Sequence, residues 1–145
     1  MKIRTSIAAA GAAAVLGGTT ALAVPAMAST HSTVHTLKFI AVKTKSVSFT
    51  ETTEGQQDND VNSAGKTIGL DDVYLTFTGR TTGKGDVALV VKGGFLYGTL
   101  ATSNAGQTFS GKVTGGTGAF AKATGKITAK AITSQKTAVT ITYST

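Results

Sequence analysis

The sequence reads as an all-β chain, a sandwich or a barrel, on three observations. Beyond residue 28 it is dominated by Thr, Val and Ile, whose branched side chains favour extended backbone. Apolar and polar residues alternate with period two in several short runs. Glycine turns break those runs at short intervals, with 18 Gly and one Pro among 145 residues, and no clear helical period competes.

Residues 1–28 read as a secretory signal. Lys2 and Arg4 form a positive start, Ile7 to Val24 an apolar run, and Ala26-Met27-Ala28 a small-x-small cleavage site. A transmembrane anchor fits less well, because the run is Ala/Gly-rich and no basic stop-transfer residues follow it. The expected product is an extracellular protein without a membrane anchor. Ser29 to about Thr36 is expected to be a flexible lead-in, and 37–145 one domain.

Leu37 to Val42 is β-rich, and Val47 to Glu51 alternates cleanly. Residues 55–66 are polar without a period and read as a loop. Val73, Leu75 and Phe77 then share one face of a strand, with Tyr74, Thr76 and Thr78 on the other. After a turn at Gly79 to Gly85, Val87, Leu89 and Val91 resume the period. The Gly93-Gly94 break leads into Phe95, Tyr97 and Thr99. Asn104-Ala105-Gly106 marks a hairpin, and Gln107 to Val113 returns. Gly115, Gly116, Thr117 and Gly118 make a tight turn, since glycine takes positive φ freely. Ala119 to Ile132 could be a helix with Lys122, Lys126 and Lys130 aligned. Gly125 and the β-branched Thr124, Ile127, Thr128 and Ile132 favour a strand instead. Ala138 to Tyr143 closes the chain.

The chain has no cysteine, which excludes disulfides, thiolate nucleophiles and cysteine-based metal sites. His31 and His35 are its only histidines and fall in the lead-in, so neither a metal centre nor a Ser/His/Asp hydrolase is expected. The Gly115–Gly118 turn superficially matches a dinucleotide-binding glycine loop. That loop needs a following helix, further strands and a later acidic partner, none of which the remaining sequence supplies. No cofactor is expected.

One string matches a known pattern more fully. Val113-Thr114-Gly115-Gly116-Thr117-Gly118-Ala119-Phe120, followed by Ala121, Ala123, Gly125 and a terminal strand ending at Tyr143, resembles the C-terminal signature of the allene oxide cyclase/dirigent superfamily. Asp71 to Phe77 and Gly94-Phe95-Leu96-Tyr97-Gly98 match its rhythm upstream. The resemblance spans roughly Leu37–Tyr143 and implies an eight-stranded, mostly antiparallel barrel with an apolar lumen, trimeric in many plant members. It further implies a small apolar or phenolic ligand and an isomerase-like activity, the barrel steering cyclisation or coupling.

All seven acidic residues lie between Glu51 and Asp86. Glu51, nearest a strand interior, is the candidate for protonating or orienting a ligand. Glu54, Asp58 and Asp60 read as a solvated loop and Asp71-Asp72 as a turn start. Tyr74, Tyr97 and Phe109 are candidates to line a lumen. Net charge is +7, and Lys92, Lys112, Lys122, Lys126, Lys130 and Lys136 fall where no acid follows. Such a stripe suits either an anionic wall polymer or protection of an outer face against edge pairing. Nucleic acid is not expected, because Arg80 is the only arginine beyond the signal. Two readings result: a ligand-binding barrel, as a homodimer or trimer, or a non-catalytic exterior protein with a packed barrel and a lysine face.

Overall fold

The computed structural model describes residues 32–145, so the expected signal segment and His31 lie outside the described residues. Eight strands follow in order: β1 (Val34–Thr50), β2 (Thr53–Val61), β3 (Thr67–Phe77), β4 (Gly83–Val91), β5 (Gly94–Ser103), β6 (Thr108–Gly116), β7 (Thr124–Thr133) and β8 (Lys136–Ser144). Each pairs antiparallel with the next, and β8 returns to β1, closing the barrel. Closure pairs every strand on both sides and leaves no sheet edge. β1 starts at Val34, inside the segment expected as lead-in, because Val34 to Thr36 are held by β8.

Alternation sends one side chain in two to the interior. Phe39, Ala41, Leu75, Leu89, Leu96, Leu100, Val113, Ile127 and Ile141 form its buried core. Two expectations are corrected here. Residues 55–66 are largely strand: β2 runs to Val61, and only the 62–66 turn connects it to β3. Asn62 Oδ1 holds that turn, accepting from the backbone N–H of Ala64 and Lys66 at 3.0 Å each. The period of β2 escapes a hydropathy reading because both of its faces are polar.

The second correction concerns Ala119 to Ala123, which lie before β7 rather than in it. Gly118, at φ +57°, turns the chain into one 3-10 turn, Gly118–Phe120. That turn is fastened to the β4–β5 hairpin. Thr117 N–H donates to Phe95 O (2.9 Å), Phe95 N–H to Thr117 Oγ1 (3.1 Å), and Ala119 N–H to Gly93 O (2.9 Å). A Cβ on Gly118 would run into the Gly93 carbonyl. The turn drives Phe120 into the barrel end, edge-on to Tyr143 with ring centres 5.5 Å apart. The opposite end carries the β1–β2, β3–β4, β5–β6 and β7–β8 turns and, among the described residues, has no such plug.

Candidate functional site

The lumen has one polar wall. Residues facing inward on β2 are Glu54, Gln56, Asp58 and Asp60, and β3 adds Asp71 directly across from Asp58. Lys43 on β1 stands in register with Asp58, and its Nζ lies 4.0 Å from Glu54 Oε1. Ser46 Oγ donates to that same Glu54 oxygen. Around the rest of the cavity the lining is apolar: Phe39, Val73, Val87, Leu89, Leu100 and Ile127 among others.

Three aspartates are almost wholly buried, with relative exposures of 2% for Asp58, 0% for Asp60 and 5% for Asp71. Their partners differ. Gln56 Nε2 donates to both oxygens of Asp58, at 2.9 and 2.7 Å. Both oxygens of Asp60 and Oδ1 of Asp71 are buried and receive no hydrogen bond from any other group, so the one bond open to them is the Asp60–Asp71 contact that forms when one of the two is protonated. Gly69, opposite Asp60 in the ladder, makes room for that carboxyl; a Cβ there would sit 3.1 Å from Asp60 Oδ2 and closer still to Val91. An unpartnered buried polar group costs roughly 1–3 kcal/mol, so a chain that keeps two such carboxyls concentrates a liability in one place.

Burial and mutual repulsion set the protonation of the trio. Burial, then the neighbouring Asp60 and Asp58 charges, push Asp71 up to about 9. Burial, opposed by a hydrogen bond with Asp71 and reinforced by the Asp58 charge, pushes Asp60 up to about 7. Asp58 is also raised by burial, but the Gln56 hydrogen bonds and the Lys43 charge oppose this. At neutral pH, Asp71 is therefore a carboxylic acid able to donate a proton, while Asp58 is the member whose upward shift is opposed by hydrogen bonds and by the Lys43 charge. Environments that separate like groups in this way define an acid and a base. No group of three or more His, Cys, Asp or Glu among the described residues is arranged to hold a metal ion.

The cavity between the two walls measures about 60 Å³ and is bounded by Phe109, Ala129 and Thr137 toward the unplugged end. Of the expected lumen residues, Phe109 alone lines it. Tyr74 and Tyr97 sit on the outer face, 48% and 40% exposed, because their neighbours Val73, Leu75, Leu96 and Gly98 take the inward positions. With Val47 and Phe49 the two tyrosines line an outer groove of about 600 Å³. Glu51 is exposed in the turn between β1 and β2, outside the cavity lining. His35 is exposed on β1, its ring stacked on Tyr143 at 5.3 Å. Gly115, Gly116, Thr117 and Gly118 form the turn that carries the plug.

The expectation of a solvated loop at Asp58 and Asp60, and of a turn start at Asp71, is overturned, since all three project from strands into the barrel. A signal for them existed. Gln56, Asp58 and Asp60 recur at every second position, in the same phase that β3 continues with Asp71, Val73 and Leu75.

No described protein family matches the sequence, and no curated protein matches it. Solved structures do match in shape. Pyocyanin demethylase superposes with a TM-score of 0.66 at 17% identity, over 75% of this chain and 99% of that one. The Diels Alderase AbmU from Streptomyces koyangensis gives 0.58 at 9% identity, over 81% of this chain and 70% of that one. A nonspecific heme-binding cyclase that catalyses 4 + 2 cycloaddition during neoabyssomicin biosynthesis gives 0.61 at 9% identity, over 79% and 68%. At these identities the likeness is one of fold: this chain is a closed eight-stranded antiparallel barrel of the architecture those proteins use.

Proposed function

We propose that the protein is an exported barrel that binds a small apolar or phenolic molecule in its lumen and isomerises or cyclises it by proton transfer. One observation carries the reading: Asp58 and Asp71, with Asp60 buried beside them, stand on one polar wall of an otherwise largely apolar chamber. A ligand held against that wall receives a proton from the Asp71 carboxyl at one atom and returns one to Asp58 from another. The sum is isomerisation, with no oxidant or metal required. The apolar wall holds one conformer against the acids, which is the source of steering. The architecture shared with a demethylase and two cyclases supports a lumen as the place of reaction. Oxidative coupling of phenols would need an outside oxidant, so the carboxyl wall favours cyclisation.

The cavity volume favours a second reading. About 60 Å³ holds two waters, against roughly 300–1,000 Å³ for sites of drug-sized ligands. A barrel that stays this full is a packed exterior protein. On the first reading a ligand enters past Phe109, the large half-buried side chain between the cavity and the unplugged end.

Native mass spectrometry of the protein mixed with an organic extract of its own culture separates the two. The lumen reading expects a reproducible small adduct that Ala129→Phe abolishes by filling the cavity. Asp71→Asn should retain an adduct of the same mass, and chromatography of the released ligand should show the rearranged isomer from the parent and only the starting isomer from this variant. A bare mass throughout, with every variant folded, overturns the lumen reading in favour of the packed barrel.

A further inference from the structure

The outer face of β4–β7 holds a feature that the lumen chemistry does not use. Lys112 on β6 and Lys126 on β7 are direct cross-strand partners. Like charges directly opposite each other destabilise a sheet. Lys84 on β4 joins them around an outer trough of about 910 Å³, together with the hydroxyl-bearing Thr99 and Ser110. The only ion pair among the described residues is Lys43–Glu54, so no carboxylate lies within 4.0 Å of any of the three ammonium groups. Guarding an edge does not explain them, since a closed barrel has none.

Gly85, Gly111 and Gly125 contribute bare backbone to the trough's lining, and lysines and hydroxyls rim it. Asp86 also lines the trough, leaving it net positive.

From this arrangement we infer that the trough binds the phosphate groups of a linear anionic polymer. Lysine supplies compact point charges suited to phosphates of varied orientation, and the hydroxyls donate to the remaining oxygens. Tyr74 is the only aromatic lining the trough, so there is no platform for successive nucleobases. The ligand is a phosphate-bearing polymer recognised by charge spacing, and its binding is independent of whether the lumen is occupied.

Titration calorimetry with inorganic polyphosphate tests this, run beside a thymidine oligonucleotide of matched charge. Three lysine contacts predict a slope of log K against log salt of about −2. The double variant Lys112→Gln/Lys126→Gln should bind about tenfold more weakly in 50 mM salt, with a slope near −1. It should unfold at the same temperature as the parent or higher, because a like-charge pair has been removed. Lys38→Gln/Lys136→Gln removes the same charge elsewhere on the barrel and should change the affinity by no more than about twofold. Equal loss in both variants would show a net-charge effect and overturn the proposal. So would an absence of polyphosphate binding, tighter binding of the oligonucleotide, or a fall in the trough variant's unfolding temperature.

Discussion

Asp71 is held in the barrel against the ordinary preference of a carboxyl for water, and that makes stability depend on pH with a definite sign. Its pKa is raised from 3.8 to about 9, chiefly by burial, and that of Asp60 to about 7. Between the unfolded and folded values the native state binds more protons than the unfolded chain. The stability these groups contribute is therefore fully present below about pH 4, falls progressively as pH rises, and is gone once pH has passed the folded values of about 7 and 9. Each unit of displacement corresponds to about 1.4 kcal/mol, so Asp71→Asn should stabilise the protein by at least about 2 kcal/mol at pH 9 and by little at pH 4. Thermal unfolding followed from pH 4 to pH 9 checks this. A parent curve that rises with pH, or an Asn variant that keeps the full fall, would contradict the burial of that carboxyl. The opposite substitution logic holds at Gln56. Removing its two donated hydrogen bonds by Gln56→Leu should raise the Asp58 pKa further, visible as a carboxyl titration displaced to higher pH by NMR.

Among the elements, the turns carry the strongest local constraints. In the β5–β6 hairpin Asn104 and Ala105 both adopt positive φ, +51° and +54°. Alanine there is strained by roughly 1–2 kcal/mol, so Ala105→Gly should stabilise the protein by about 0.5 kcal/mol after the greater freedom of unfolded glycine is subtracted. Gly118→Ala should do the reverse, losing about 2 kcal/mol or more, since strain at φ +57° adds to collision with the Gly93 carbonyl. Urea denaturation of the two variants side by side gives both signs in one experiment. These turns were legible in the sequence because Gly, Asn and their spacing announce positive φ, and so were the strands whose inward face is apolar, such as Val73, Leu75 and Phe77. β2 was not legible. Its inward residues Glu54, Gln56, Asp58 and Asp60 and its outward Gln57 and Asn59 are all polar, so the alternation has no contrast to read. Only pairing with β1 and β3 makes that segment a strand, and the functional residues were lost with it. Tyr74 and Tyr97 misled for a related reason: aromatic rings are more often core, but here Leu75 and Leu96 occupy the inward phase.

At the level of the molecule, the decisive contact is the one that joins the barrel's first strand to its last. β1 and β8 pair from Val34↔Ser144 to Val42↔Lys136, and without them the sheet has two open edges. Local turns assemble the intervening hairpins, but this last ladder closes a loop of nearly the whole domain and its entropy is recovered only when the core forms. Phe39 lies at its centre, 5% exposed, opposite Val139 and within the same buried cluster as Ile141 and Leu89. Phe39→Ala should therefore cost about 3–5 kcal/mol. Because the barrel has a single core, the loss should appear as one earlier transition reported alike by far-ultraviolet dichroism and by tyrosine fluorescence, the chain having no tryptophan. Separate transitions for the two probes would mean that the β1–β8 seam opens while the β3–β6 wall stands. The lumen acids would then be exposed without global unfolding, and ligand entry through the seam would replace entry past Phe109.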